Sequence, residues 1–158
     1  MNIELQNKIT QYIKSGKDIS DLIGGIDLKN ADLSHAVISN FNVSNQDISR
    51  CRLIAAKIQK AQMIKTIAHN VQFNFADMSY ANCSYIDARD SNFLNANCAY
   101  TVFRYGDVRN SNICDATITL GPKYFYKTKI SGNILDLMKR IWDISFDETK
   151  MIFEEELK

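Results

Sequence analysis

The side chains best suited to bind a metal or attack a substrate are four cysteines, Cys51, Cys83, Cys98 and Cys114, and two histidines, His35 and His69. A zinc site needs ligands in closely spaced pairs, such as Cys-x-x-Cys. No such spacing occurs, and each histidine stands alone in its neighbourhood. Neither has a Ser or Cys motif beside it that would make a nucleophile–base pair, and no paired carboxylates frame a cleft. The sequence therefore predicts no catalytic residue, no metal and no cofactor. Contact chemistry is better represented. Tyr80 and Tyr100, and Tyr85 and Tyr105, lie twenty residues apart, with Arg104 beside Tyr105 and with Arg89 and Arg109 also twenty apart. Tyrosine and arginine are enriched where one protein grips another. Tyrosines that only stack on each other and shield backbone would give the same spacing.

The element that positions these residues is a repeat of five. Counting in fives from Leu28 gives Leu33, Ile38, Val43, Ile48, Leu53, Ile58, Met63, Ala68, Phe73, Met78, Cys83, Ala88, Phe93, Cys98, Phe103, Val108, Ile113 and Ile118. All 19 of these centres are apolar in a chain that is 46% hydrophobic, where chance would give roughly nine. Two residues before each centre, small side chains dominate, among them Ala31, Ala36, Ala56, Ala61, Ala76, Ala81, Ala96, Ser91, Gly106 and Ser111. Positions two apart point to one face of an extended chain, and the residue between points away. Each unit thus reads as a three-residue strand, in–out–in. The two remaining positions are rich in Ser and Asn, which tolerate tight turns. Three-residue sides joined by two-residue corners describe a solenoid. In it, Cys51 takes a small inward position, Cys83 and Cys98 are centres, and Cys114 lies at a corner, and the cysteines are expected as small buried hydrophobes.

Ile26-Asp27-Leu28-Lys29-Asn30-Ala31-Asp32-Leu33-Ser34-His35 and Ala76-Asp77-Met78-Ser79-Tyr80-Ala81-Asn82-Cys83 resemble tandem pentapeptide repeats of the A(D/N)LXX type. The resemblance spans about three-fifths of the chain. It implies an all-β solenoid, a right-handed quadrilateral parallel β-helix with four pentapeptides per coil, here just under five coils over 26–120. Coils ~4.8 Å apart make a rod about 20–25 Å long. Such a coil sets residues twenty apart above one another. Leu33, Leu53, Phe73, Phe93 and Ile113 then share an interior column, Tyr80 and Tyr85 lie under Tyr100 and Tyr105, and Lys29, Ser49, His69, Arg89 and Arg109 form an outer column. Members of the family include gyrase-protecting proteins that mimic DNA and many small proteins without a known role.

The flanks read as caps. Residues 2–15 place Leu5, Ile9, Tyr12 and Ile13 on one helical stripe that Gly16 ends, and a solenoid needs its end covered. Residues 18–25 lead into the first coil. Gly121-Pro122 breaks the period, after which 123–131, with Tyr124, Phe125 and Tyr126, is expected as a last irregular strand. A short helix carrying Leu137, Met138, Ile141 and Trp142 follows. Ser145-Phe146-Asp147-Glu148 has the form of a capping box, predicting a final helix to about Leu157. In the gyrase-protecting relatives a C-terminal helical module joins two rods, so the resemblance implies a homodimer through Leu137, Met138, Ile141 and Trp142. Ile54, Ile64 and Ile67 interrupt the polar pattern and predict either a covered apolar patch or a bulge.

Charge constrains function. The chain has 19 Lys and Arg against 18 Asp and Glu. Within 26–120 the count is nine basic against eight acidic, so the dense acidity that a DNA mimic needs is absent. A basic stripe for nucleic acid is also disfavoured. No apolar run reaches the ~18 residues of a membrane helix, and Met1-Asn2-Ile3-Glu4-Leu5 has no secretory n- or h-region, which predicts a cytoplasmic location. The sequence thus predicts a non-catalytic interaction or scaffold module. Its contacts with a protein partner are expected through Tyr80, Tyr85, Arg89, Tyr100, Arg104, Tyr105 and Arg109.

Overall fold

The computed structural model describes residues 3–119, 122–132, 152 and 153. The chain opens with α1, Ile3–Lys14. Glu4 in its first turn and Lys14 in its last complement the helix dipole. Gly16, at φ 66°, ends it. The Gly16 amide donates to the Ile13 carbonyl at 3.0 Å and the Lys17 amide to that of Tyr12 at 2.9 Å, the paired closure that left-handed glycine permits. Ile9 is buried, and Leu5, Tyr12 and Ile13 pack partly buried against the core.

From Asp32 onward the middle residues of the sides pair in parallel with residues twenty further on, as Asp32 with Arg52, Val37 with Lys57, Asn42 with Gln62 and Asp47 with Ile67. The register continues to β1, Asn97–Cys98, paired with β2, Thr117–Ile118. Twenty residues are four units of five, so the chain winds as a parallel β-helix. Centre amides from Leu33 to Ala88 donate along the axis to a middle carbonyl of the next coil, as Leu33 to Arg52 at 2.8 Å, and the Arg52 amide returns to the Ala31 carbonyl at 2.8 Å.

The corners explain the polar positions. Sixteen residues, every fifth one from Asn30 to Asn110 except Asn40, adopt φ between 55° and 64°. In that left-handed conformation the amide points to the coil ahead: Asn30 donates to Ser49, Tyr80 to Ala99 and Tyr85 to Arg104. Asn40 instead donates to the Ser20 hydroxyl of the lead-in. Outward Asp and Asn side chains accept the amide two residues on, Asp32 from Ser34, Asp47 from Ser49, Asn82 from Ser84 and Asn97 from Ala99. They fix the corner of their own coil, a role the sequence reading did not assign them.

The interior is filled. Leu33, Leu53, Phe73, Phe93 and Ile113 are fully buried, and Phe73 stacks on Phe93 with ring centres 4.9 Å apart. Phe93 meets Phe103 edge-on at 6.2 Å. Gly106 has no side chain because a Cβ there would lie 2.9 Å from the Phe103 carbonyl oxygen and 3.1 Å from Ile86 Cγ2. Thr66, Ser91, Thr101 and Thr128, at small inward positions, donate their hydroxyls to carbonyls of another coil, those of Val43, Ala68, Met78 and Phe103. Cys51, Cys83 and Cys98 are buried free thiols. Burial, with a lesser push from the Asp32 charge, raises the Cys51 pKa to about 12.

Three expectations about the flanks change. Asp18 bridges Val37 and the Ile19 amide donates to the Val37 carbonyl, so the lead-in joins the stack before the short helix α2, Ser20–Ile23. Residues 123–131 are not one irregular strand: α3, Pro122–Phe125, is a helical turn, and the period then resumes in β3, Lys129–Ile130. Lys129 bridges Asp107, so the turn adds two residues to the twenty. β3 pairs in parallel with β4, Ile152–Phe153, within the segment expected as the final helix. Pairing with an exposed strand edge outweighs the local helical signal there. Leu137, Met138, Ile141 and Trp142 lie outside the described residues.

Candidate functional site

A four-sided coil distributes the outward residues by position. One side carries Asn42, Gln62, Asn82 and Val102 in succession. Tyr80 and Tyr100 stand at the corner before it, Tyr85 and Tyr105 at the corner after it. Each tyrosine has the left-handed corner conformation, which holds its side chain off the rod. Tyr80 and Tyr100 stack at 4.9 Å with planes 16° apart, Tyr85 and Tyr105 at 4.8 Å and 8°. Their exposures run from 58% at Tyr80 to 38% at Tyr105. The rows extend further than the sequence period indicated, because Tyr124 meets Tyr100 and Tyr126 meets Tyr105, each edge-on. The inserted turn of α3 brings them there, and no five-residue count could find them.

Arg104 belongs with the second row. Its guanidinium carbon lies 5.7 Å from the Tyr105 ring centre and 5.2 Å from that of Tyr126, within cation–π range. Lys65 lies 6.0 Å from the Tyr85 ring. Arg89 and Arg109 do not join this group. They occupy the far corner of the next side, whose outward residues are Asp27, Asp47, Ile67, Asp87 and Asp107. Arg89 grips Asp87 with two hydrogen bonds of 2.8 Å, and Arg109 grips Asp107 at 2.9 and 2.6 Å. Two residues along a corner put each guanidinium beside the carboxylate of its own unit, so their forks are already engaged.

The isoleucines do not make one patch. Ile67 is 42% exposed on the aspartate side, Ile64 lies at the Tyr85 corner, and Ile54 lies at the diagonally opposite one. No bulge forms, since Ile67 bridges both Asp47 and Asp87. The corner of Ile54 also exposes Phe75 and Leu94, an apolar edge that the column reading overlooked. A groove of about 710 Å³ between α1 and the first coil is lined by Gln6, Lys14, Asp32 and His35 among others. Among the described residues, no three His, Cys, Asp or Glu side chains are grouped to hold a metal ion, and no helix is long and apolar enough to cross a membrane.

The family model for pentapeptide repeats matches residues 26–63 in 8 copies, and the twenty-residue register carries the same unit on through Ile118. Over residues 26–63 the chain is a run of pentapeptide repeats. It is similar to a pentapeptide repeat protein from the cyanobacterium Cyanothece 51142, at 11% identity over 61% of this chain and 88% of that one, TM-score 0.43. A pentapeptide repeat protein of the Arabidopsis thaliana thylakoid lumen matches at 19% identity over 72% and 67%, TM-score 0.36. QnrB1, a plasmid-mediated fluoroquinolone resistance protein, matches at 12% identity over 75% and 92%, TM-score 0.20. No curated protein matches the sequence. Likenesses of this size carry no activity over, so the geometry carries the functional reading.

The aspartate side sets the behaviour of the protein in acid. His69 Nε2 lies 2.8 Å from Asp87 Oδ2 and 3.2 Å from Arg89 Nη2, and Lys29 lies 2.7 Å from Asp47. Partial burial pushes the Asp87 pKa up, but hydrogen bonds from Arg89 and His69 and their charges outweigh it and hold it at about 2. Asp47 is likewise held at about 2, burial being outweighed by Lys29 and Ser49. So is Asp18, by Ser20 and Ser39. An unfolded aspartate titrates near 3.9. The folded values are lower, so the stability these groups contribute is complete above about pH 5 and is lost as pH falls towards about 2. The melting temperature should therefore hold level from about pH 7 to 5 and fall through about pH 4 to 2. Asp87→Asn should shallow that fall, and an unchanged melting temperature at about pH 2 would contradict the assignment.

Proposed function

We propose that this chain is a non-catalytic interaction module that presents the tyrosine-flanked side of a rigid β-helix to a protein partner. One observation carries the reading: both rows of exposed tyrosines border the same side. Such residues supply large contact area at small entropic cost, because their corners are already fixed. On this reading the scaffold is a right-handed quadrilateral helix of just under five coils, closed by α1, working in the cytoplasm. A homodimer through Leu137, Met138, Ile141 and Trp142 would present two such sides. Pentapeptide-repeat proteins are generally structural or interaction modules, in keeping with the absence of any nucleophile–base pattern in this sequence. A DNA-mimic role at a topoisomerase such as gyrase is disfavoured by nine basic against eight acidic residues over 26–120.

The test replaces Val102, on this side, or Gln72, on the opposite one, with the photo-crosslinker p-benzoylphenylalanine in the full chain. Irradiation in the cells that make the protein is expected to give a discrete protein adduct from position 102 and none from position 72. No adduct at 102, or equal yields at the two positions, would overturn the reading.

A further inference from the structure

Near-neutral net charge conceals a segregation. Residues 39–45, 59–65, 79–85 and 99–105 make up the tyrosine-flanked side with its two corners, and they contain no Asp or Glu. They carry Lys60, Lys65 and Arg104, and Lys127 extends the row against the Tyr126 ring. All eight carboxylates of 26–120 fall on the other three sides or their far corners. Among the described residues the ion pairs within 4.0 Å use Lys29, Arg52, His69, Arg89 and Arg109, and none uses these four cations. Arg104 is held most firmly, between two tyrosine rings that meet at 87°. Its buried Nε has no hydrogen-bond partner.

An arginine fork left without an acceptor, in a row of cations that no carboxylate pairs, calls for a planar anion that can accept two hydrogen bonds, which a carboxylate does. The tyrosines narrow the choice of source. Their rings stack on each other at 4.8–4.9 Å, too close to admit a nucleobase between them, and Tyr124, Tyr126 and Lys65 stand against Tyr100, Tyr105 and Tyr85. The successive open faces on which single-stranded nucleic acid stacks are thus reduced to the outer face of Tyr80. We infer that the partner of this side is an acidic protein segment, a run of Asp and Glu laid across Asn82 and Val102 with its carboxylates on Lys60, Lys65 and Arg104. This rests on the interaction reading above and adds the partner's chemistry. The polarity is the reverse of a DNA mimic's.

The probe is fluorescein-labelled octaglutamate, with octaglutamine and oligo(dT) alongside, titrated with the full chain and read by fluorescence anisotropy. Octaglutamate is expected to bind, octaglutamine not, and high salt to abolish the signal. Arg104→Gln with Lys65→Gln should weaken binding by about tenfold or more. Arg52→Gln with Lys57→Gln, on other sides, should leave it within about twofold. Should the Arg104 pair of changes lower the melting temperature, Lys60→Gln, exposed at the other corner, should alone weaken binding about threefold. Octaglutamate binding that ignores all three positions, or its absence, overturns the inference. If the adduct at position 102 still forms, the interaction reading stands without it. Tighter binding of oligo(dT) overturns the inference in favour of nucleic acid.

Discussion

Phe93→Ala is expected to lower the unfolding free energy by about 3–5 kcal/mol, the range for removing a fully buried aromatic side chain. The midpoint should fall on the order of 10 °C for a chain of this length. Phe93 stacks on Phe73 at 4.9 Å and meets Phe103 edge-on at 6.2 Å, so its loss opens a hole touching the coil below and the opposite side of its own coil. A β-helix cannot close that hole cheaply. Its coils are pinned by the axial hydrogen bonds of Phe73 to Asn92 at 2.7 Å and Asn92 to Val71 at 2.9 Å, which fix the backbone around the cavity. Contacts in a solenoid run only to adjacent coils. Hydrogen exchange should therefore quicken most around residues 71–73 and 101–103. Thermal melting measures the total, and a loss below about 1 kcal/mol would mean that the core repacks.

Ser91→Ala carries the second largest expected effect, from a single oxygen. The Ser91 hydroxyl donates to the Ala68 carbonyl at 2.6 Å and accepts the Val71 amide at 3.0 Å. Alanine fits the site, since eight of the nineteen small inward positions already hold it, so no cavity or clash enters. What remains is a buried carbonyl and a buried amide without partners, at roughly 1–3 kcal/mol each. The expected loss is about 2–4 kcal/mol in chemical denaturation with an unchanged denaturant slope. Ser111→Ala is the control, because that hydroxyl donates only to Val108 within its own corner. Equal losses at the two positions would contradict the role given to Ser91 in joining coils.

Spacing along the chain already encodes much of this packing. The period of five named the buried centres, the stacking of Phe73 on Phe93 and the two tyrosine rows, because a coil of four units turns spacing along the chain into position around an axis. The stripe of Leu5, Ile9, Tyr12 and Ile13, closed by Gly16, specified α1 by local rules alone. Ser91 was legible only as small, since its hydroxyl matters through a carbonyl 23 residues away. The left-handed corners were legible where Asn stands. They were not at Phe75, Tyr80, Tyr85, Tyr100 or Tyr105, where the conformation costs roughly 1–2 kcal/mol locally and is held by the amide bonded to the coil ahead.

By itself, then, the sequence determined the repeat, the direction each side chain of the rod faces and the leading helix, because period and capping act over a few residues. Tertiary structure decided what those side chains meet. It occupied Arg89 and Arg109 with Asp87 and Asp107 while leaving Arg104 between Tyr105 and Tyr126. It set Lys129 against Asp107 across a two-residue insertion, and it paired Ile152–Phe153 as a strand where a helix was indicated. A period fixes the angle around the axis. The neighbours along the axis, and the free energy of meeting them, exist only once the coils are stacked.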